Sequence, residues 1–355
     1  TDLSPGTDTS SLSRTWELIQ SRFVNRPVES TQLVRGAIEG MVNGLGDPYS
    51  FYLDPDEATA FDEEINGKFE GIGAELGLKD GRIVIIAPLP ETPAERAGLR
   101  AQDAIVLIDG TPTESMSLEQ AVSRIRGPDG TNVTLTLSRG DQPLTVTIRR
   151  QRIQVKSVRL DYRTANSRTV GLVTISSFTQ SSAQEFEAVV QDLLVKQPAG
   201  LVLDLRNNTG GYLDAAVDVA DAFLRDGTIV IEDFGDGQQD RTLADPEAPL
   251  ESYRLAVLIN GGTASAAEIL AGALSERRQA PLVGERSFGK GSVQEIQDLP
   301  DRSTVKLTVA HWLTPNGRSI DGVGIDPTEP VASSTNPGDE VDQQLDRALA
   351  IVAGS

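Results

Sequence analysis

Short apolar runs alternate with helix-forming segments through the second half of this 355-residue chain. Residues 200–205 and 255–259 are the clearest runs, and each leads through a turn with a glycine pair into an apolar helical segment. Strands that alternate with helices pack as layers around one core, so the pattern predicts an α/β domain at 153–355. Helices are predicted at 183–195, 213–224, 265–274 and 339–352, and further strands at 170–175, 282–285, 293–296 and 304–313. The polar stretch 233–253 is predicted to be a loop over a cleft.

The first 152 residues have a different character. Residues 1–66 carry apolar side chains at three- to four-residue spacing, as at Leu12, Trp16 and Ile19, which predicts a helical region. Residues 67–152 contain short runs that tend to alternate apolar and polar residues, which predicts a small β domain with two short helices. The sequence therefore predicts a multidomain α+β protein with an N-terminal helical segment.

Composition narrows the partners and the chemistry. The formal net charge of −20 argues against nucleic acid and anionic membranes as partners, since both require a basic face. The sequence contains no run of 18 apolar residues that would span a bilayer. It has no cysteine, which excludes a cysteine nucleophile and thiolate metal sites, and a single histidine, His311. The polar residues 1–10 resemble a linker left after removal of a targeting segment, which predicts an extracytoplasmic protein; an ordinary disordered terminus is the alternative.

Ser265 follows an apolar run and a Gly-Gly turn, and it begins an apolar helix. Ser265 and Glu268 have the spacing of a helix capping box, and the segment taken alone favours that structural role. The same strand–turn–helix corner also suits a nucleophile, because the amide of Ala266 can point at the oxygen of a reacting carbonyl. Gly210 and Gly211 follow the run 200–205 and either supply a second backbone donor or simply form a strand-to-helix turn.

Lys290 is one of only six lysines and lies between two glycines. A neutral lysine activates serine in known variants of the catalytic triad, which requires its pKa to fall by roughly three units from about 10.4. Phe288 and Val293 are expected to give Lys290 an apolar setting, and Gln294 can orient its amine without adding charge. Taken alone, a Gly-Lys-Gly triplet is more typical of a solvated loop.

Two other interpretations of these residues stay open in the sequence. Gly284, Gly289 and Lys290 have the spacing of a phosphate-binding loop, but Gly291 stands where the magnesium-binding serine or threonine belongs, so this interpretation is weak. His311 is the rival general base, although a packed or surface histidine is the more common role for such a residue in a strand.

Three stretches of the β-rich region resemble a PDZ domain. They are Phe-Glu-Gly-Ile-Gly-Ala at 69–74, Thr-Pro-Ala-Glu-Arg-Ala-Gly-Leu at 92–99 and Asp-Ala-Ile-Val-Leu-Ile-Asp-Gly at 103–110. The resemblance implies a PDZ domain at 67–152 that binds a peptide as an added strand. Backbone amides near Gly71, Ile72 and Gly73 would hold the terminal carboxylate of that peptide. A degenerate PDZ domain that serves only as a spacer is the alternative.

Motifs across nearly the whole chain resemble the carboxyl-terminal processing proteases, also called tail-specific proteases. In family order they lie at 46–50, in the PDZ stretches, and at 171–178, 203–211, 260–274, 284–294, 314–320 and 324–327. Position by position, Ser265 matches the nucleophile, Lys290 the general base and Gln294 the residue that positions the lysine. The amide of Ala266 and one amide of the pair Gly210–Gly211 match the oxyanion hole.

Two positions depart from the family pattern. Ala267 stands where the family often has a second serine, which narrows the nucleophile to Ser265. Thr209 stands where the family often has proline, which is expected to loosen the oxyanion loop slightly.

The resemblance implies a serine endopeptidase with a Ser-Lys dyad that cleaves proteins near their C-terminus, without metal or cofactor. It implies that the PDZ domain binds C-terminal tails of substrates, and Arg126 matches a basic position that is the candidate for gating by this domain. The implied location is the periplasm, the thylakoid lumen or the cell envelope, and the number of assembled chains is left open. The alternative is a PDZ-bearing scaffold with an inactive core, against which the intact Ser265, Lys290 and Gln294 argue.

Overall fold

The computed structural model describes residues 8–354 except 26, 80, 90, 101, 115, 141, 155 and 333–341. The helices of the described residues are α1 (Ser10–Arg22), α2 (Ser30–Asn43), α3 (Pro55–Ile65), α4 (Pro93–Arg96), α5 (Leu118–Ile125), α6 (Ser182–Lys196), α7 (Leu213–Asp221), α8 (Ala266–Arg278) and α9 (Gln343–Ala353). The strands in the first half are β1 (Phe51–Leu53), β2 (Lys68–Gly71), β3 (Ala74–Lys79), β4 (Arg82–Pro88), β5 (Ala104–Ile108), β6 (Thr111–Pro112), β7 (Asn132–Arg139), β8 (Gln142–Arg149) and β9 (Gln151–Gln154). Those in the second half are β10 (Val158–Ala165), β11 (Arg168–Ile175), β12 (Leu201–Asp204), β13 (Thr228–Asp233), β14 (Gln239–Leu243), β15 (Leu255–Ile259), β16 (Leu282–Gly284), β17 (Ser292–Asp298), β18 (Thr304–Leu313) and β19 (Glu329–Pro330).

The chain divides into two compact units, the first formed by residues up to 58 together with 294–308. Its helices α1 and α2 confirm the predicted helical segment, but α1 buries none of its residues and α2 buries only Val42. Strand β1 pairs antiparallel with residues 304–306. The hydroxyl of Ser50 donates to Asp47 Oδ2 at 2.5 Å and accepts from the amide of Thr308 at 2.9 Å, so the motif at 46–50 forms a polar turn that anchors this strand pair.

The second unit contains residues 59–293 and 309–355. Its first part is an antiparallel sheet in the order β3-β4-β5-β7-β8, with β6 added to β5, while β2 and β9 form a separate two-stranded ribbon. Alternating apolar side chains of β4, β5 and β7 meet apolar residues of α4 and α5 in one core. Helix α5 begins with a capping box formed by Ser117 and Gln120. The region therefore has the strands and short helices that the sequence predicted.

The rest of the second unit is built on a six-stranded sheet in the order β10-β11-β12-β15-β16-β19. Strand β10 is antiparallel to β11, and every other pair is parallel. Leu201, Leu203 and Leu205 belong to the core shared with α6, α7 and α8, whereas Val202 belongs to the core shared with α9. This alternation with period two buries both faces of the sheet, as the α/β prediction requires.

The topology places three loops at one edge of this sheet. Strands β12, β15 and β16 are adjacent and parallel, so their carboxyl ends meet at the same edge. The loops that leave these ends contain Gly210, Ser265 and Lys290 respectively. In open parallel sheets this edge is where functional sites form, because the loops from neighbouring strands converge there.

The predicted loop at 233–253 is wrong in part, because β14 lies inside it and pairs with β13 as a hairpin. Most of β14 is exposed, so its sequence lacks the alternation of apolar and polar residues that reveals a half-buried strand. Strands β10 and β13 were also absent from the prediction. No helix among the described residues is long and apolar enough to cross a bilayer.

Candidate active site

Ser265 stands at a sharp corner between β15 and α8. Its backbone has φ 55° and ψ −123°, a conformation that L-residues rarely adopt and that persists only where neighbouring structure enforces it. The enforcing contacts are on both sides: the amide of Ala264 donates to Asn208 O at 2.9 Å, and the amide of Ser265 donates to Glu268 Oε2 at 2.9 Å. Ser265 itself is half-buried at the N-terminus of α8. The corner therefore presents a serine at the positive end of a buried helix.

The loop after β12 packs directly against this corner. Gly210 has φ +103°, and a β-carbon there would lie 3.1 Å from the amide nitrogen of Ala266. The fully buried Asn208 holds the loop, since its Nδ2 donates to Ile175 O and its Oδ1 accepts from the amide of Gly210, both at 2.9 Å. The amide of Gly210 is thus committed, whereas the amides of Gly211 and Ala266 donate to none of the residues that the structure describes.

A pair of asparagines joins the loops after β12 and β15. The amide of Asn207 donates to Asn260 Oδ1, and Asn260 Nδ2 donates back to Asn207 Oδ1, both at 2.9 Å. Asn260 Oδ1 also accepts from the amide of Gly262 at 3.0 Å. Sequence reasoning missed these residues, although polar side chains soon after two apolar strands were the available signal. Their pairing fixes the loop after β12, called the glycine loop because it contains Gly210 and Gly211, relative to the corner at Ser265, called the serine corner.

Lys290 is half-buried, and its backbone is held from two sides. Its amide donates to Glu268 Oε2 at 2.9 Å, and its carbonyl accepts from the indole Nε1 of the buried Trp312 at 2.8 Å. Glu268 is fully buried, and its Oε1 accepts from the amide of Gly289 at 2.8 Å and from the hydroxyl of Ser287 at 2.5 Å. The carboxylate that the sequence predicts as part of a capping box therefore also binds the loop that carries Lys290.

The bound amides remove the phosphate-loop alternative. A phosphate loop needs backbone amides that point at an empty cradle, but the amides of Gly289 and Lys290 are bound to Glu268. The amide of Gly291 donates to Asp321 Oδ1 at 3.1 Å. Gly284 is the last residue of β16 and does not belong to the loop.

The other two side chains considered for the chemistry lie on strands. Gln294 is in β17, and its Nε2 donates to Thr308 Oγ1 at 3.3 Å. His311 is exposed on β18 opposite Asp233 in the register, while the neighbouring Trp312 points into the core. The rival base is therefore a surface histidine.

An ion-pair cluster supports the end of β12. Arg206 binds Asp204 through two nitrogens, at 2.9 and 2.7 Å, and Asp342 at 2.9 Å. Burial alone would lower the pKa of Arg206, but these hydrogen bonds outweigh it and raise the pKa above its ordinary value. Asp342 also caps α9 by accepting from the amide of Leu345 at 3.0 Å. The cluster thus ties the last helix to the strand that leads into the glycine loop.

The predicted PDZ domain contains an open apolar groove of about 290 Å³. Its lining residues are Phe69, Gly71, Ile72, Gly73, Ala74, Leu76, Leu89, Val122, Ile125 and Arg126. The guanidinium carbon of Arg126 lies 5.3 Å from the centroid of the Phe69 ring, within the range of a cation–π contact. The three residues predicted to receive a peptide carboxylate and the predicted gating arginine therefore lie in the same groove.

Comparison with known proteins identifies the family of the chain. Residues 169–331 match the model of peptidase family S41, residues 84–139 that of the PDZ domain, and residues 4–57 that of the N-terminal domain of the activating protease CtpB. The chain is 40% identical over 318 residues to the carboxy-terminal processing protease CtpA of Bacillus subtilis, covering 89% of this chain and 67% of that protein. It is 40% identical over 320 residues to the carboxy-terminal-processing protease of Bartonella bacilliformis, covering 88% of this chain and 72% of that protein.

A solved structure shows the same fold. The photosystem II D1 C-terminal processing protease, 30% identical, superposes with a TM-score of 0.60 and covers 98% of this chain and 92% of its own. Fold and sequence together define a serine peptidase with a PDZ domain. The chain belongs to the carboxy-terminal processing proteases of family S41.

Proposed function

We propose that this chain is an endopeptidase that hydrolyses protein substrates near their C-termini with a dyad of Ser265 and Lys290. The observation that carries the proposal is the backbone of Ser265, held at φ 55° and ψ −123° at the start of a buried helix. Such strain is retained where a side chain has to be presented at one position, as for a nucleophile. Lys290 lies in the loop that follows the next strand of the sheet. Its backbone amide and that of Ser265 both donate to the carboxylate of Glu268.

The proposed reaction proceeds through an acyl-enzyme. The neutral amine of Lys290 takes the hydroxyl proton of Ser265 while Oγ attacks the scissile carbonyl carbon, and the carbonyl electron pair moves to oxygen. The tetrahedral intermediate collapses and expels the amine of the leaving fragment, which takes the proton from the Lys290 ammonium. Water then attacks the ester with Lys290 as base, which releases the acid and restores Ser265. Gln294 is proposed to orient the amine.

Two backbone amides are proposed to stabilise the oxyanion. Ala266 supplies one from the first turn of α8, where the helix dipole also favours negative charge. The Gly210–Gly211 pair supplies the other, and Gly211 is the better donor because the amide of Gly210 already binds Asn208. The amide of Ala266 lies beside the loop that carries Gly210, and neither proposed donor requires a charged side chain.

The PDZ groove is proposed to bind the C-terminal tail of the substrate. Its apolar lining fits apolar side chains, and an added peptide strand supplies backbone hydrogen bonds. We propose that Arg126 relays occupancy of the groove, because a tail that enters has to meet its contact with Phe69. Arg126→Ala is expected to change basal or tail-stimulated cleavage, with the neighbouring Arg124→Ala as control. If Arg126→Ala left both rates unchanged, the relay would be wrong.

The experiment that tests the dyad is cleavage of casein, as an unstructured substrate, by the parent chain and three variants. Ser265→Ala and Lys290→Ala are expected to lower the rate by at least about 1,000-fold, as for other nucleophile–base pairs. Lys196→Ala removes an exposed lysine at the end of α6 and is expected to keep the parental rate. Activity that survives Lys290→Ala would exclude it as the base. A parent that is inactive both alone and with an apolar C-terminal peptide would support the scaffold alternative.

We also propose that the protein acts outside the cytoplasm, in the periplasm, the thylakoid lumen or the cell envelope. The absence of cysteine is compatible with this location, and family resemblance supports it. Fractionation of the source cells tests it, with recovery in the cytoplasmic fraction as the opposing result.

A further inference from the structure

We propose that Glu268 is the positioning residue that sets the spacing of Ser265 and Lys290, an inference that rests on the proposed dyad. One oxygen, Oε2, accepts from the amides of both residues, each at 2.9 Å. The two amide nitrogens therefore lie within two hydrogen-bond lengths of one another. The backbone amides of the proposed nucleophile and the proposed base are therefore both hydrogen-bonded to the same oxygen atom of Glu268.

The contacts of Glu268 exceed what a helix cap needs. A capping carboxylate binds the amide at the start of its own helix, as Glu268 does with Ser265. The other three donors come from the loop after β16: the amides of Gly289 and Lys290 and the hydroxyl of Ser287. The carboxylate thus joins α8 to the loop after β16. The order of the strands alone does not determine how close this loop lies to the helix.

Further hydrogen bonds make the arrangement rigid. Ser287 Oγ also accepts from the amide of Ile325 at 2.7 Å, and Trp312 Nε1 holds the carbonyl of Lys290 on the opposite side. The loop is therefore restrained at both backbone groups of Lys290, and Glu268 provides the restraint that faces Ser265. A shift of Glu268 would change the distance between the two reacting side chains.

A carboxylate is the group that this position requires. Two oxygens that only accept can satisfy four donors, and burial without those donors would carry a large free-energy cost. A glutamine has one accepting oxygen, and in either orientation its NH₂ group faces at least one backbone N–H. Glu268→Gln therefore keeps the size of the side chain and loses part of the contacts, whereas Glu268→Ala loses all of them.

The test is steady-state cleavage of casein by the full chain and its variants. Because misplacement of about 1 Å costs about 100-fold in rate, Glu268→Ala is expected to lower kcat about 100-fold and Glu268→Gln about 10-fold, with KM changed less than about threefold. The control is Glu276→Gln on the same helix, whose carboxylate accepts from the amide of Asn316 at 2.8 Å and belongs to a different loop. It is expected to keep kcat within about twofold, as for changes remote from the reacting groups.

A role limited to folding predicts a different pattern, in which thermal stability falls and the kcat of the folded fraction is kept. The folded fraction is measured by circular dichroism, and Glu268→Gln decides the question if Glu268→Ala does not fold. A Glu268→Gln enzyme with the kcat of Glu276→Gln, or with a change in KM alone, would overturn the inference. Failure of the proposed dyad is distinguishable from this result, because it would appear as cleavage activity that survives Ser265→Ala in the otherwise unchanged chain.

Discussion

A β-carbon placed on Gly210 would lie 2.8 Å from the β-carbon of Ser265. It would also lie 3.0 Å from the carbonyl oxygen of Ala264, so neither the side chain nor the backbone of the corner leaves room for it. Glycine is required here because any added β-carbon would lie closer to the corner at Ser265 than ordinary van der Waals contact allows. The φ of +103° at Gly210 adds a second reason, since L-residues rarely adopt it.

Gly210→Ala is accordingly expected to displace the glycine loop from Ser265 and to lower kcat by about 100-fold, the usual effect of misplacing an oxyanion donor. The control is Gly235→Ala in the β13–β14 turn, where φ is also positive, at +79°, but no atom lies within 4 Å of the added carbon. Both variants carry backbone strain, and only the first perturbs the site. Casein cleavage measures the difference; equal activities would show that close approach at Gly210 is not needed for catalysis.

His311→Gln is expected to leave kcat within about twofold of the parent, because exposed residues away from a site contribute little. The imidazole is exposed and lies opposite Asp233 on the neighbouring strand. Its charge contributes to holding the pKa of Asp233 below the ordinary value, behind the larger effects of hydrogen bonds from Gln239 and the Gly235 amide. The measurement is the rate of casein cleavage from pH 5 to 9. If the variant lost a rise in the pH–rate curve near the ordinary histidine pKa of about 6.5, His311 would be the base.

The parts of the fold that the sequence predicted share a simple physical origin. Strands β12 and β15 are buried on both faces and read as continuous apolar runs, and α8 is apolar on nearly all sides. Such segments are recognisable because burial dictates their composition. Strand β14 escaped prediction because its exposed polar residues are also compatible with a loop.

The candidate site shows the same division. Ser265, Gly210 and Lys290 were recognisable because a corner, a close approach and an isolated lysine each leave a local pattern. The contacts of Glu268 with Gly289 and Lys290, and of Trp312 with Lys290, join residues that lie 21 or 22 positions apart in the sequence. Their geometry depends on how β16 docks beside β15, which no local pattern encodes.

Val122→Asp is expected to weaken binding of an apolar C-terminal peptide by about tenfold or more, because a buried unpaired charge is costly. Val122 lines the PDZ groove, where a carboxylate would also repel the terminal carboxylate of the peptide. Thr145→Asp on the exposed side of β8 adds the same charge to the same domain outside the groove and is the control. Fluorescence anisotropy with a labelled peptide measures both. Equal affinities would place the peptide elsewhere on the domain.

Asp103 is a buried acid of the PDZ domain, and its stabilising effect is expected to depend on pH. Arg139 donates to both of its oxygens at 2.8 Å, and these hydrogen bonds hold the pKa of Asp103 below its ordinary value of 3.8 against the opposing effect of burial. A lowered folded pKa means that the ionised group stabilises the fold at pH values above the ordinary pKa. That contribution is lost as the pH falls through the lowered pKa.

Asp103→Asn is therefore expected to destabilise strands β5 and β7 by about 2 kcal/mol at neutral pH, the usual cost of leaving buried partners poorly satisfied. Hydrogen exchange of the amides in these strands measures the local stability, with the exposed Asp129→Asn as the control. The difference between the parent and Asp103→Asn should be constant from pH 6 to 8 and should shrink below about pH 4 as the parental carboxylate takes up its proton. A difference of the same size at pH 3 would mean that shape rather than charge makes Asp103 stabilising.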